Sequence, residues 1–257
     1  MLLSIDIGNT NITLGLYDNE ELVETFRLAS DKELEQQEYE LLLSTIFKSY
    51  KIEDCIIGSV VDELTYKLKN ACDNVFGIKT FLFNNNHSSG LEIALKTPSE
   101  VGADRIANAI AAKRKYKLPV IIVDIGTATT FDIVSKDGKF IGGVIMPGLN
   151  LQFKSLCSNT SKLPHIGAGI SEKAIGDSTE NALLSGIMRG SACAIEGLIH
   201  QCELELGEKA TIIATGGHSK LISKYMLREF DYVDSSLTLE GLKHLYKINK
   251  AGSPLLR

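Results

Sequence analysis

The sequence predicts an α/β fold made of two related halves. Short apolar segments of strand length alternate with longer segments of helical spacing. The stretch Asp6-Ile7-Gly8-Asn9-Thr10 has a counterpart in Asp124-Ile125-Gly126-Thr127-Ala128, 118 positions later. At that same offset the turn Asp18-Asn19-Glu20 falls on Lys136-Asp137-Gly138. One offset shared by a loop and a turn marks an internal duplication, each copy a β-meander with helices. The boundary is expected near Lys115–Leu118, giving domains over 1–116 and 117–257.

The elements follow in order. Leu2–Ile5 is short and apolar, and Asn11–Tyr17 and Leu22–Leu28 alternate around the turn at Asp18-Asn19-Glu20-Glu21, so three strands open the chain. Leu34–Tyr50 has helical spacing, with Leu34, Leu41, Leu42, Thr45 and Ile46 expected on the core side. Ile56–Val61 reads as a buried strand, Glu63–Phe76 as a helix and Thr80–Phe83 as a strand, before the polar loop Asn84–Gly90. In Gly102–Tyr116, Ala103, Ile106, Ala107 and Ile110 fall on one helical face. Pro119–Val123, Thr129–Ser135 and Phe140–Ile145 repeat the three-strand opening. Thr179–Leu206 and Leu239–Asn249 read as helices of the second half, and Thr211–Ala214 as a strand feeding Thr215-Gly216-Gly217. Domains of this pattern are expected to face each other across a ligand cleft.

Composition narrows the function. Of 257 residues, 44% are hydrophobic and 23% charged, enough to build a core. The formal charge of -5 offers no field for a polyanion, which disfavours nucleic acid. A small anion is still compatible, because backbone N–H groups can hold one. Five scattered cysteines without a C-x-x-C pair read as reduced thiols, neither a disulfide framework nor a zinc site. The start Met1-Leu2-Leu3-Ser4-Ile5-Asp6 lacks a basic segment before an apolar stretch, and no apolar run reaches bilayer length. A cytoplasmic protein with no membrane partner is expected.

Two loops could cradle phosphates. In the first, Gly8 permits close approach, Asn9 and Thr10 supply donors, and Asp6 ends a buried strand where a magnesium-associated carboxylate would sit. A plain polar hairpin would read alike, but two copies at related positions weigh against it. In the second loop Asp124, Thr127, Thr129 and Thr130 combine a carboxylate with hydroxyls. A carboxylate leaving a buried strand needs a cation or several donors. In Gly102-Ala103-Asp104-Arg105, Asp104 and Arg105 point about 100° apart on a helix, so one could act as base while the other grips a carboxylate. A dipole-favoured Asp beside a solvated Arg is the plainer account of that segment alone. His87, His165, His200, His218 and His244 show no metal spacing, and no G-x-x-x-x-G-K-[ST] motif occurs. Gly186, Gly190, Ala192, Ala194 and Gly197 make a small-residue stretch suited to close helix packing, within the fold or between subunits.

Five motifs in one order, D-I-G-N-T at 6–10, G-A-D-R at 102–105, D-I-G-T-A-T-T at 124–130, G-G-V-I-M-P-G at 142–148 and T-G-G at 215–217, resemble those of type III pantothenate kinases. The resemblance spans nearly the whole chain, and G-A-D-R is its most distinctive part. It implies duplicated ribonuclease H-like domains of the actin-like ATPase fold. It implies ATP-dependent phosphorylation of pantothenate to 4′-phosphopantothenate, the first step of coenzyme A synthesis. By this resemblance Asp6, Ile7, Gly8, Asn9, Thr10, Asn11, Ile12 and Thr13 bind the ATP phosphates, and Thr127 also contacts ATP. Gly102, Ala103, Asp104 and Arg105 hold pantothenate, Asp104 accepts the hydroxyl proton, and Thr179 is a later substrate contact. Asp124 ligates a monovalent cation, potassium or ammonium, and the protein is a homodimer. Relatives often carry a tyrosine three residues before the proline preceding G-A-D-R, where this chain has Leu95. The alternatives are a kinase for another small hydroxylated metabolite, or a non-catalytic regulator on the same scaffold.

Overall fold

Alternation along the first strand assigns its side chains to two different tasks. In the computed structural model, which describes residues 1–158, 160 and 163–252, β1 (Leu2–Ile7) points Leu3, Ile5 and Ile7 to one face and Ser4 and Asp6 to the other. β2 (Asn11–Asp18) runs antiparallel, pairing Leu3 with Leu16, Ile5 with Leu14 and Ile7 with Ile12, so six buried aliphatic chains share a face. β3 (Glu21–Ala29) closes the meander at a largely exposed edge. α1 (Gln36–Ile46) starts in a capping box of Glu35 and Glu38. Its fully buried side is Tyr39 and Leu43; of the expected stripe Leu34, Leu42 and Ile46 pack against that core, while Leu41 is 68% exposed and Thr45 is also exposed. β4 (Asp54–Ser59) lies parallel to β1, and α2 (Asp62–Phe76) stops at left-handed Gly77. β5 (Phe81–Leu82) completes the order β3-β2-β1-β4-β5. β6 (Glu92–Ile93) joins the other sheet, and α3 (Ala103–Lys115) buries Ala103, Ile106, Ala107 and Ile110 as the spacing predicts.

The second sheet repeats the plan. β7 (Val120–Ile125), β8 (Ala128–Val134) and β9 (Lys139–Pro147) form the meander. α4 (Leu149–Ser158), absent from the elements expected above, buries Leu149, Phe153 and Cys157. α5 (Thr179–Leu206) is capped by Ser178, whose Oγ accepts the Asn181 N–H, and ends at left-handed Gly207. β10 (Thr211–Thr215) runs parallel to β7, and the short α6 (Ser219–Ile222) and β11 (Tyr232–Val233) follow. The order is β11-β10-β7-β8-β9-β6: a meander with the parallel strand beside its first member, as in the first sheet, plus an added edge. Both meanders shift register at the same place, opposite Val23 between the partners of Leu16 and Tyr17, and opposite Ile141 between those of Ile133 and Val134. The repeat departs at two connections, the turn after β8 being one residue longer than that after β2 (Val134 pairs with Phe140, Tyr17 with Leu22). Ile7 pairs with Ile12 but Ile125 pairs with Thr129, so the second phosphate-type loop is one residue shorter.

α5 is long and apolar enough by composition to cross a membrane. One side of it, with Leu183, Ile187, Met188, Ala192, Ile195 and Ile199, lies in the core of the second sheet. All five cysteines are free thiols.

The chain divides into two units: Met1–Leu91, Lys96–Arg114 and the chain from Ser236 onward, and Glu92–Leu95 with Lys115–Ser235. The final helix, α7 (Leu237–Gly252), therefore packs with the first unit although it follows the second in sequence. The reason is steric. Ser4, Gly15 and Gly58 lie together on the face of the first sheet opposite its aliphatic core. A Cβ on Gly15 would lie 2.8 Å from Leu239, and one on Gly58 2.6 Å from Leu242. Where α7 crosses α3, a Cβ on Gly241 would meet the Ala107 carbonyl at 1.9 Å. Glycines leave the room that Leu239, Leu242 and Ala107 occupy, and only α7 has leucines at that spacing around a glycine.

Candidate functional site

In the first unit the two distinctive motifs meet at the carboxyl ends of parallel strands. Asp6 lies on the face shared with its cross-strand neighbours Thr13 and Gly58. The loop beyond it is held by the Gly8 N–H, which donates to the Asn11 carbonyl at 3.0 Å. Ser30, just past β3, donates its N–H to the Thr10 carbonyl at 3.0 Å and its Oγ to the Gly8 carbonyl at 2.5 Å. Asn9 and Thr10 are exposed, whereas Ile7 and Ile12 are wholly buried. Those two isoleucines can therefore meet a ligand only through their backbone. The Val60 N–H donates to the Ile7 carbonyl at 3.0 Å, and the Val60 side chain lies 3.4 Å from where a Gly102 Cβ would be. Val60 thus bridges the first loop to the G-A-D-R segment.

Gly102 begins α3, its carbonyl accepting the Ile106 N–H at 3.1 Å. Asp104 folds its carboxylate back over this end, Oδ1 accepting the Arg105 N–H at 2.8 Å. A Cβ on Gly102 would lie 2.5 Å from that Oδ1, so glycine is required for the carboxylate to sit there. Burial pushes the Asp104 carboxyl above its ordinary value, with the Arg105 N–H and charge opposing. A raised pKa makes this carboxylate a better proton acceptor than an exposed aspartate.

The second unit builds a corresponding place. Asp124 pairs with Thr130 and Thr215, as Asp6 does with Thr13 and Gly58. Its Oδ1 lies 2.4 Å from where a Gly216 Cβ would be, and Gly216 is left-handed with φ 85°. Both the missing side chain and the backbone conformation demand glycine in T-G-G. The His218 N–H donates to the Ile125 carbonyl at 3.0 Å, fixing the entry to α6. The Gly148 N–H donates to the Thr127 carbonyl at 3.2 Å, and a Cβ on Gly148 would collide with the Gly126 and Thr127 carbonyls. Three of the five motifs therefore depend on a glycine: Gly102 clears the Asp104 carboxylate, Gly216 the Asp124 carboxylate and Gly148 the Gly126 and Thr127 carbonyls.

Thr179 is the exposed first residue of α5. The segment before it is tied down by Arg189, whose Nη2 donates to the Ser171 carbonyl at 3.0 Å and the Glu172 carbonyl at 3.2 Å. The Ser171 N–H donates to the Tyr225 hydroxyl at 2.6 Å, and Ser185 donates to the Ala174 carbonyl at 2.6 Å. Leu95 lies half-buried just past β6. Sequence reasoning missed Ser30, Val60 and Arg189, since none belongs to a motif. For Ser30 a signal existed: it lies 118 positions before Gly148. Among the described residues no group of three or more His, Cys, Asp or Glu is placed to hold a metal ion.

Comparison with known proteins bears on the family and the fold. A relative named type III pantothenate kinase from Exiguobacterium sibiricum is 39% identical over 255 residues, covering 97% of this chain and 100% of that protein. A solved structure assigned to the Baf family of transcriptional activators, from Campylobacter jejuni, superposes with TM-score 0.61 at 22% identity, covering 97% of this chain and 99% of that one. The activator of 2-hydroxyisocaproyl-CoA dehydratase from Clostridium difficile, solved with bound ADPNP, gives TM-score 0.54 at 12% identity, covering 100% and 99%. At such identities these structures speak for the fold alone, which is that of the actin-like ATPases. The sequence profile of type III pantothenate kinases matches residues 2–201, and with the full-length relative it shows that this chain belongs to the type III pantothenate kinase family.

Proposed function

We propose that the chain phosphorylates pantothenate with ATP, the reaction of its family, and that Asp104 accepts the proton. The observation that carries this reading is the Asp104 carboxylate, desolvated and folded over Gly102 at the start of α3. The substrate hydroxyl oxygen bonds to the γ-phosphorus, the bond from that phosphorus to the bridging oxygen breaks, and ADP leaves. The hydroxyl proton passes to Asp104. Because such transfers run through a loose transition state, positioning and charge stabilisation do most of the work. The loop Asp6–Thr13 and Thr127 are assigned to ATP. Gly102, Ala103, Asp104, Arg105 and Thr179 are assigned to pantothenate, with Arg105 pairing its carboxylate.

Asp6 suits magnesium, which binds through one or two carboxylates together with phosphate oxygens and water. Asp6 lies one residue before the end of β1, beside the loop assigned to phosphate, with Thr13 opposite it on β2. When bound, the ion neutralises phosphate charge. Asp124, enclosed by the glycine positions 126 and 216, suits potassium or ammonium. Homodimer formation is supported by the outer stripe of α5, where a Cβ added at Gly186, Gly190 or Gly197 would meet no atom within 4 Å. Exposed helix glycines cost about 1 kcal/mol each relative to alanine, a cost offset when a second helix packs closely.

The test is a coupled ADP-release assay with pantothenate and with other small hydroxy acids, in sodium, potassium and ammonium buffers. The reading expects turnover with pantothenate, rising when potassium or ammonium replaces sodium. ADP release with another acceptor but not with pantothenate would overturn the substrate, and equal rates in all three salts would overturn the cation role of Asp124.

A further inference from the structure

The first phosphate-type loop presents a chemical problem: Asp6 through Thr13 contains no lysine or arginine. If it holds phosphate, backbone N–H groups must supply much of the grip, and their direction then matters. In a trans peptide the N–H points opposite to the carbonyl of the same unit. Whatever captures the carbonyls on one side of the loop therefore aims the following N–H groups toward the other.

Ser30 does this twice. Its Oγ takes the Gly8 carbonyl at 2.5 Å, which turns the Asn9 N–H away from Ser30. Its N–H takes the Thr10 carbonyl at 3.0 Å, which turns the Asn11 N–H the same way. The third bond, from the Gly8 N–H to the Asn11 carbonyl, closes the loop on itself.

The duplication supplies an internal comparison. The position equivalent to Ser30 in the second half is Gly148, 118 residues later. There the backbone bond is kept, from the Gly148 N–H to the Thr127 carbonyl at 3.2 Å. The hydroxyl is not, and there is no room for it: a Cβ on Gly148 would lie 2.3 Å from the Gly126 carbonyl oxygen, the counterpart of the Gly8 carbonyl. The second loop is one residue shorter and approaches its bracing residue directly. In the longer first loop the serine hydroxyl fills the difference.

We propose that Ser30 is a positioning residue for nucleotide phosphate, holding the Gly8 and Thr10 carbonyls so that the Asn9 and Asn11 N–H groups face the phosphates. This rests on the assignment of Asp6–Thr13 to ATP. Ser30 is not a catalytic residue, since it acts through the loop.

The experiment compares Ser30→Ala, Ser30→Thr and Asp6→Asn in steady-state kinetics, with equilibrium binding of ATP and adenosine and a thermal melt of each variant. Ser30→Ala is expected to raise the KM and Kd for ATP about 3- to 13-fold, the scale of one hydrogen bond between neutral groups. Adenosine binding and the KM for pantothenate should stay within about twofold. Ser30→Thr, which keeps the hydroxyl, should recover most of the ATP affinity. ATP binding within twofold of the parent in a folded Ser30→Ala protein would overturn the inference, as would equal weakening of adenosine and ATP. If Asp6→Asn impairs ATP use while Ser30→Ala does not, only the role of Ser30 falls. If neither changes ATP use, the loop assignment itself falls.

Discussion

Replacing Asp104 by asparagine separates the chemistry of the site from its architecture. Asparagine keeps an Oδ1 that can accept the Arg105 N–H, so the start of α3 and the fit over Gly102 should persist. What disappears is the group that takes the proton. Loss of a general base lowers turnover about 100- to 10,000-fold, or about 2.7–5.4 kcal/mol at 1.36 kcal/mol per decade. Stability should move the other way. The Asp104 carboxyl lies above its ordinary pKa because burial disfavours its charge, so the native state binds this proton more tightly than the unfolded chain does. At neutral pH the ionised carboxylate therefore costs stability, and that cost vanishes as pH falls through the raised value. The neutral asparagine has no such cost, so the variant should melt no lower than the parent. The activity profile has the matching sign: the parent's acid limb lies above the ordinary aspartate pKa, and the variant's residual rate lacks it. Single-turnover ADP release across pH, beside thermal melts, checks both. A folded variant turning over within a few-fold of the parent would refute Asp104 as proton acceptor, and one that fails to fold would refute the view that the carboxylate is a functional burden on its site.

Two further outcomes test the packing. Gly241→Ala places a methyl 1.9 Å from the Ala107 carbonyl oxygen, so α7 must shift on α3. A loss of about 1–3 kcal/mol in urea unfolding is expected, against a gain or no change for Gly167→Ala, whose added methyl meets open space. Equal effects would contradict the docking of α7 on the first unit. Glu203 is buried and accepts both Arg228 Nη1 at 2.7 Å and Nη2 at 2.8 Å, with Lys209 Nζ at 2.8 Å and the Ala210 N–H at 3.2 Å. The Arg228 bonds above all hold its carboxyl down at about 2. Its contribution is therefore complete above about pH 4.5 and fades as pH falls toward 2. Glu203→Gln should cost about 3 kcal/mol at pH 7, with the gap to the parent narrowing below about pH 4.5. A gap that stays constant to pH 3 would rule out this linkage.

Local sequence carries what local physics decides. Alternation predicts the six aliphatic residues of β1 and β2, and Thr179–Leu206 is helical over the predicted span because Ser178 and Gly207 cap it by themselves. The offset of 118 predicts the matching loops, and it also aligns β1 with β7 residue for residue. The stripe expected for α1 holds at Leu34, Leu42 and Ile46 but not at Leu41 and Thr45, because helical spacing alone admits neighbouring faces and only the sheet beneath centres the buried one on Tyr39 and Leu43. Composition cannot say that α7 returns to the first unit, since that depends on a hollow made by Gly15 and Gly58, which belong to different strands. The motif glycines are visible as letters, yet their reasons lie elsewhere in the chain. Gly102 clears Asp104, Gly148 clears the Gly126 carbonyl, and Gly216 clears Asp124. Ser30 belongs to no motif and shows its role only when β3 delivers it to the loop. By itself the sequence determined the family, the repeat and the candidate chemistry, because these reside in residue types and their order. Tertiary structure alone decided which carbonyls are held, which carboxylate is desolvated and which helix fills which hollow, because those depend on distances between residues far apart in the chain.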